Sequence, residues 1–392
     1  MNPAIAVPAF NRPASLARLL AALAAADVAP GTTLLIAVDC PADDRHAAAN
    51  AEVLAAARAF RWPHGPLEIV AQPAPLGLVG NVFFCGAAAE RFGAVVLLED
   101  DLLVSARFHA YARQALAVYA DDERLAGLSL NAPWFNGFTH QPFVPLLDDG
   151  DVFFLQLSTP HGQVYTAAQW AAFRRWLAAA APDAGASAVH DLFHAFPADD
   201  WLSTKARYLA DTGRLYVYPR ESLTTNTGEP GTHFDRATAF FQVPLQQRRR
   251  DFRFLPLDEA VAVYDGFYEL RPDRLDRLTD RLHGYEYDVD LYATKPARRL
   301  TADFILTTRP CRRAELTFGR ALWPLEANVI ASVPGRGIAL ARRVDVLTDD
   351  AATRAAQQAN DDYFARYRRP GRRRQWRGAL ARWRYRGLLG EK

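Results

Sequence analysis

Two patterns of apolar and polar residues alternate along the first 130 positions. Short continuous apolar runs, typical of buried strands, alternate with segments whose apolar residues recur at helical spacing. The first helical segment places leucine at i, i+3, i+4 and i+7, starting from Leu16. The apolar runs occupy residues 4–7, 34–38, 67–70, 94–98 and 125–130. This order predicts an α/β fold with a mostly parallel sheet that carries helices on both faces.

Three consecutive carboxylates, Glu99, Asp100 and Asp101, directly follow the apolar run 94–98. Ligands of open α/β sheets bind outside the carboxyl ends of the strands, where these side chains are expected. Magnesium-like cations are held by one or two carboxylates together with substrate phosphate oxygens. The trio therefore predicts a divalent cation beside a nucleotide. An acidic helix N-terminus, stabilised by the helix dipole, is the alternative interpretation.

Composition limits the classes of function. A chain of 392 residues exceeds the usual size of a single core, so one large domain with an appendage, or two domains, is expected. The net charge of +2 indicates no general attraction to nucleic acid, which is not expected as a partner. Three scattered cysteines fit a reducing compartment. No glycine-rich phosphate loop follows the first strand, which weakens dinucleotide-binding and P-loop interpretations.

The sequence suggests three regions. An α/β domain is expected over residues 1–245, and its aromatic, irregular part from about 134 to 244 suits a substrate cleft. The run Gln-Gln-Arg-Arg-Arg at 246–250 marks a boundary, and residues 246–365 are expected to form a C-terminal accessory region whose role no motif indicates. Residues 366–392 form a basic amphipathic tail.

Several motifs in one order carry a resemblance to a known family. The opening 4–13, Ala-Ile-Ala-Val-Pro-Ala-Phe-Asn-Arg-Pro, is followed by a helix and by a strand that ends at Asp39. The segments 76–81 and 95–102, the pair Asp200-Trp201 and the sequence Gly-Thr-His-Phe at 231–234 come later. Together they resemble bacterial family 2-like glycosyltransferases with the GT-A fold, with similarity to the N-acetylglucosaminyltransferase I family. The resemblance covers about residues 4–245.

The resemblance implies roles for individual side chains. Those implied to bind the nucleotide sugar are Pro8, Arg12, Asp39, Asn81, Glu99 and Asp100. Asp101 and His233 are implied to hold Mn²⁺ or Mg²⁺. Arg12 suits the diphosphate because guanidinium forks onto phosphate oxygens, and Asp39 suits the imide N–H of uracil. The alternatives are a solvated Arg12, an Asp39 that caps the next turn, and a His233 in a surface turn.

The resemblance implies Asp200 as the general base of an inverting transfer, in which a base takes the proton of the acceptor hydroxyl and a carboxylate is the usual candidate. The alternative is a helix start with Asp199 as the N-cap and Asp200 as the first helical residue. The sequence departs from the family at 158–163, where a Ser-Trp-Gly-Trp-like run is common, and this leaves donor-sugar and acceptor identity open. His161 is therefore an alternative base. Trp134 and Phe135 are candidates either for sugar stacking or for the core.

The tail allows two interpretations. Ten arginines surround Trp376, Leu380 and Trp383, which stand at i, i+4 and i+7. Such a pattern favours binding to an anionic membrane surface, because apolar anchors have no use in a solvated tail. A disordered basic tail or nucleic-acid arm is the rival interpretation.

The sequence and the resemblance together predict a metal-dependent, inverting GT-A glycosyltransferase. It would move a sugar from a nucleotide sugar, UDP-linked, to a hydroxyl of a bacterial surface glycan such as capsule or lipopolysaccharide, with a glycan or a lipid-linked molecule as the acceptor. A cytoplasmic protein without a spanning helix is expected, held peripherally at the inner membrane face if the tail binds lipid. The alternatives are a retaining transferase, a catalytically silent membrane-associated scaffold and, less favoured, a nucleotidyltransferase.

Overall fold

The computed structural model describes residues 1–181, 183–197, 200–229, 236–249 and 251–365. The strands are β1 (Ala4–Ala9), β2 (Leu34–Val38), β3 (Leu67–Ala71), β4 (Ala94–Leu97), β5 (Leu102–Val104), β6 (Leu125–Ser129), β7 (Val152–Leu155), β8 (Gln163–Thr166), β9 (Leu215–Pro219), β10 (Thr224–Asn226), β11 (Val263–Tyr264), β12 (Tyr287–Asp290), β13 (Phe304–Thr307), β14 (Leu316–Phe318) and β15 (Ile338–Arg342). The helices are α1 (Pro13–Ala25), α2 (Ala47–Ala59), α3 (Gly77–Phe92), α4 (Phe108–Tyr119), α5 (Ala167–Ala179), α6 (Trp201–Thr212), α7 (Pro272–Leu275), α8 (Glu326–Ile330) and α9 (Asp350–Ala365).

A nine-stranded sheet in the order β3-β2-β1-β4-β8-β6-β9-β7-β11 forms the centre of the protein. The pairs within β3-β2-β1-β4 are parallel, as are β6-β9 and β7-β11. Strand β8 runs antiparallel to both of its neighbours, β4 and β6, and β7 runs antiparallel to β9. The predicted α/β class, with a mostly parallel sheet and helices packed on it, is confirmed.

Each strand of the sheet sends alternate side chains into two separate apolar cores. Ala6 of β1 belongs to the core that also contains side chains of α3, α5 and α6, whereas Ile5 and Val7 belong to the core that contains side chains of α1, α2 and α4. Except for the edge strand β3, whose residues are half-buried or exposed, the strands are therefore buried on both faces, which explains their continuous apolar sequences. This arrangement leaves the carboxyl ends of the strands as the free edge at which polar side chains collect.

Glycine allows α3 and α5 to pack closely on one face of the sheet. A Cβ atom added at Gly86 of α3 would lie 2.2 Å from Cη2 of Trp170 in α5. Only a residue without a side chain fits between the indole ring and the α3 backbone. The same helix carries Asn81, whose side-chain amide donates to the carbonyl of Ala9, at the end of β1, at 3.4 Å.

A second sheet of four strands, in the order β12-β13-β15-β14, lies in the C-terminal part of the chain. Most of its buried apolar side chains join the same apolar core as α3, α5 and α6, whereas Ile305 and Ala341 form a small separate core with Leu300 and Val346. The short strand β11 belongs to the large sheet although it follows residue 245, so the large sheet takes in part of the predicted accessory region. The division at 245/246 stays a prediction. The predicted tail lies outside the described residues.

None of the helices in the described part of the chain combines the length and apolar character needed to span a bilayer.

Lys205 of α6 is fully buried, and its ammonium group has no hydrogen-bond partner among the described residues. Its Nζ lies 3.7 Å from the ring centroid of Phe173 and 4.4 Å from that of Tyr165. Burial lowers the pKa of Lys205 well below its usual value. The amine is therefore kept away from water without a compensating hydrogen bond, which costs stability.

Replacing this lysine with methionine (Lys205→Met) is expected to raise the free energy of unfolding by about 1–3 kcal/mol at neutral pH, since an unsatisfied polar group is removed. The pKa of Lys205 is lower in the folded protein, so the unfolded state binds more protons and wild-type stability rises with pH toward the unfolded value of about 10.4. Urea unfolding between about pH 7 and pH 9.5 should show the advantage of Lys205→Met shrinking. Lys205→Gln, which keeps a polar group there, should bring no gain.

Candidate active site

A cavity of about 1240 Å³ opens at the carboxyl ends of β1, β2 and β4. Its wall has a polar end, built from the residues that follow these three strands, and an aromatic end, built from loops later in the chain. The predicted site residues on this wall are Pro8, Arg12, Asp39, Asn81, Glu99, Asp100, Asp101 and Asp200. Positions separated by up to 192 residues (200 minus 8) are thus brought to one cavity. His233 lies outside the described residues.

The acidic trio stands where β4 ends, and Arg12 neutralises part of its charge. The Arg12 Nη1 atom donates to Oδ2 of Asp101 at 2.9 Å, and Nη2 is bonded to Oδ1 of Asp100. Burial, with help from the charges of Asp101 and Asp100, raises the pKa of Glu99 to about 8. Burial also raises the pKa of Asp100 to about 6, although Arg12 opposes the shift. Three adjacent carboxylates that are partly shielded from water therefore need a positively charged partner.

The small antiparallel pair of β5 with β10 fixes the backbone of this cluster. Strand β5 begins directly after Asp101, and the Thr227 amide after β10 donates to the carbonyl of Asp101 at 2.9 Å. The side-chain Oδ1 atom of Asp101 is buried and has no hydrogen-bond partner among the described residues. An unpartnered carboxylate oxygen is a suitable ligand for a hard divalent cation, so the donor set fits the predicted ion.

The described residues alone do not complete a metal site. No three histidine, cysteine or acidic side chains within that part of the chain converge tightly enough to hold an ion. A cation at Asp101 would therefore need further oxygens, and substrate phosphates are the usual source for magnesium-like ions. That the cation and the nucleotide bind side by side stays a prediction.

Asp39 and Asn81 both line the polar end, and both also hold backbone in place. Oδ1 of Asp39 accepts hydrogen bonds from the amides of Cys40 and Leu76, each at 2.9 Å. The Asn81 amide donates to the carbonyl of Ala37 at 2.9 Å. One of the two carboxylate oxygens of Asp39 therefore caps the following turn, as the alternative interpretation expected. The Asn81 side chain joins α3 to the end of β2.

Asp200 lies on the same wall and begins α6. It is the N-cap of this helix, and its Oδ1 accepts from the Ser203 amide at 2.8 Å. The interpretation with Asp199 as the N-cap and Asp200 as the first helical residue is wrong by one position. Asp199 itself lies outside the described residues. Two consecutive aspartates can both serve as caps, so local sequence could not decide between them.

The aromatic end was predicted only in outline. Trp134 and Phe135 lie on the cavity wall, and the Trp134 indole donates to the carbonyl of Phe240 at 2.8 Å. Trp201 was noted as the neighbour of Asp200 in sequence. Aromatic wall residues that the sequence did not single out are Phe138, Phe193, Phe196, Phe240, Phe241 and Tyr268. The density of aromatic residues from 134 to 244 was the available signal.

The loop that leads into β8 contributes Ser158 and His161 to the wall between the two ends. Oγ of Ser158 is buried without a hydrogen-bond partner among the described residues. Burial lowers the pKa of His161, and the nearby charge of Asp101 opposes this shift. The imidazole is therefore held toward its neutral form, in which one ring nitrogen accepts a proton.

The wall combines charged groups with apolar rings. Arg12 contributes positive charge and the acidic trio contributes oxygen ligands, while Asp200 adds a further carboxylate beside Trp201. Such a cavity can hold a charged diphosphate and its counter-ion beside a ligand with apolar faces. It can also place a proton acceptor next to the second ligand.

No family model matches the chain, and a search of curated proteins finds no match. Solved structures of S. aureus TarS are similar. For TarS 1–349 alone the TM-score is 0.34 at 16% identity over 58% of this chain and 61% of that chain. For TarS 1–349 in complex with UDP-GlcNAc the TM-score is 0.35 at 16% identity, over 59% of this chain and 60% of that chain. The chain thus spans about three fifths of these structures. Identity and TM-score are both too low to assign it to a family.

Proposed function

We propose that the chain is a glycosyltransferase that takes its sugar from a nucleotide sugar, UDP-linked, with a divalent cation as cofactor. One observation supports this most: the acidic trio with Arg12 and the carboxylate of Asp200 stand on the wall of one cavity, at the edge where α/β sheets bind ligands. Each part alone has a simple structural explanation. Their combination provides a place for a diphosphate and a proton acceptor beside it.

In the proposed reaction, Arg12 binds the diphosphate, and Asp39 and Asn81 lie where the base and ribose would enter. Asp101, with Glu99 or Asp100, would hold Mn²⁺ or Mg²⁺, whose charge would stabilise the departing diphosphate. The acceptor oxygen attacks the anomeric carbon as the bond from that carbon to the phosphate oxygen breaks. Its proton passes to the Asp200 carboxylate. Attack from the face opposite the leaving group inverts the anomeric configuration.

The aromatic end of the cavity supports a carbohydrate acceptor. Rings such as Phe138, Phe193 and Trp201 offer flat apolar surfaces for the C–H faces of sugar rings next to Asp200. We therefore keep the hydroxyl of a bacterial surface glycan as the proposed acceptor. A cytoplasmic location with peripheral membrane contact is proposed from the sequence of the tail alone.

Calorimetric titration with UDP and with GDP, each with and without Mn²⁺, tests the donor site. We expect selective UDP binding that is strengthened by Mn²⁺, and a loss of about tenfold or more in UDP affinity with Mn²⁺ when Asp101→Ala removes the ligand oxygens. Asp121→Ala, which removes an exposed acid outside the cavity, is the matched control and should bind as wild type does. Absence of nucleotide binding under every condition would contradict the proposed function and favour the scaffold alternative.

A further inference from the structure

Arg12 has an unusual position for a residue that would bind a phosphate, because its guanidinium already forms ion pairs with two carboxylates of the protein. It is the last residue before α1, and its guanidinium bridges two carboxylates that lie 88 and 89 positions further along the chain. Nη1 donates to Oδ2 of Asp101 at 2.9 Å, and Nη2 is bonded to Asp100. About a third of the side chain (31%) is exposed, toward the cavity that it lines.

Within the described ranges, no basic residue other than Arg12 is joined to the acidic cluster by a hydrogen bond or ion pair. The next arginine along α1, Arg18, is paired with Glu229 on the neighbouring loop. Without Arg12, up to three negative charges would stand together in a partly buried site. They would then have to attract a cation or take up protons.

While Arg12 holds Oδ2 of Asp101, only the buried, unpartnered Oδ1 of this carboxylate is left as a ligand for a divalent cation. A single carboxylate oxygen beside a guanidinium is a weak site for an ion that needs six ligands in octahedral geometry. A diphosphate changes this balance, because its oxygens offer guanidinium a bidentate partner with at least equal charge. The same oxygens can also complete the coordination of the cation.

We propose that Arg12 is an internal counter-ion that keeps the acidic cluster closed to divalent cations until the diphosphate of the donor draws the guanidinium away. Arg12 is thus a positioning residue that sets the order of binding, with the nucleotide before or together with the cation. This inference rests on the proposed function, since it assumes a nucleotide diphosphate as the ligand. By linkage, the factor by which UDP strengthens cation binding equals the factor by which the cation strengthens UDP binding, typically about 5–150-fold.

The test measures Mn²⁺ binding without nucleotide, from the electron paramagnetic resonance signal of free Mn²⁺. The wild-type protein should bind Mn²⁺ weakly, and Arg12→Gln should bind it about tenfold or more tightly, because removing the guanidinium leaves both oxygens of Asp101 open. Arg18→Gln removes an equal charge from the same helix and should leave the affinity within about twofold of wild type. The double variant with Arg12→Gln and Asp101→Asn should lose this gain in Mn²⁺ affinity.

Thermal unfolding establishes that each variant is folded before its binding is compared. Equal Mn²⁺ affinity of wild type and Arg12→Gln without nucleotide would overturn the inference, as would a wild-type protein that binds Mn²⁺ equally well with and without UDP. UDP binding with no Mn²⁺ binding in any variant would also overturn it, since Arg12 would then be a permanent counter-ion. A wild-type protein that binds no nucleotide at all contradicts the proposed function instead. The two failures are therefore distinguishable.

Discussion

Replacing Asp200 with asparagine is expected to lower kcat by ~10²–10⁴-fold, the usual contribution of a general base, while UDP still binds. An amide cannot take the acceptor proton at neutral pH, whereas a carboxylate can. The substitution is conservative for the fold, because asparagine is as good an N-cap as aspartate and can still accept from the Ser203 amide. Turnover measured with a UDP-sugar that proves to be a donor, next to calorimetric UDP affinity, provides the comparison.

A variant at a second N-cap shows whether a loss of turnover comes from removing the base or from removing the helix cap. Thr166 caps α5 through a hydrogen bond from the Gln169 amide to its hydroxyl at 3.1 Å, and it is not part of the cavity wall. Thr166→Ala should cost ~1 kcal/mol of stability without a comparable loss of turnover. Near-normal turnover in folded Asp200→Asn would remove the proposed base and make His161 the next candidate. The anomeric configuration of the product, determined by NMR, would distinguish an inverting from a retaining reaction.

The strands and helices were predictable wherever one face or both faces of an element are buried. Residues 94–98 predict a strand because every side chain of β4 is buried, and the helical leucines from Leu16 pack into one core. The boundaries differ from prediction by about one residue. The apolar run 94–98 continues one residue past β4, which ends at Leu97, and the run 125–130 continues one residue past β6, which ends at Ser129.

The candidate site was predictable where its residues are adjacent in sequence or follow a strand directly. Glu99, Asp100 and Asp101 satisfy both conditions. The ion pairs of Arg12 with Asp100 and Asp101 could not be predicted, because they depend on how β1 and β4 align in the sheet. The aromatic end is assembled from residues around 134–138, 193–196, 240–241 and 268 and from Trp201 at the start of α6, and no periodic pattern marks residues of separate segments that share a cavity.

The C-terminal sheet is tied to the rest of the protein by buried charges, which gives the region without motifs a structural role. Lys295 is paired with Asp265 at 2.6 Å, and Glu269 accepts from the Tyr292 amide at 2.7 Å. Asp265 and Glu269 flank Tyr268, which lines the aromatic end of the cavity. The C-terminal sheet therefore supports one wall of the candidate site.

Arg309→Met is expected to lower the free energy of unfolding by about 3–5 kcal/mol, because it leaves the fully buried Asp290 without its partner. Arg309 Nε donates to Oδ2 of Asp290 at 2.6 Å, and its Nη2 atom donates to the carbonyls of Ala293 and Lys295 at 3.0 and 2.9 Å. Both side chains of the ion pair are almost completely shielded from water. Methionine keeps much of the volume and loses every one of these hydrogen bonds. Urea unfolding measures the difference.

The matched control is Arg354→Met on α9, where an exposed arginine lies 3.8 Å from Asp350 and contributes little. Its free energy of unfolding should stay within about 0.5 kcal/mol of wild type. Arg309→Met combined with Asp290→Leu should lose less stability than Arg309→Met alone, because no charge is then left unpaired. A loss below about 1 kcal/mol in Arg309→Met would show that water or another group replaces the guanidinium, and the buried pair would then not hold this sheet together.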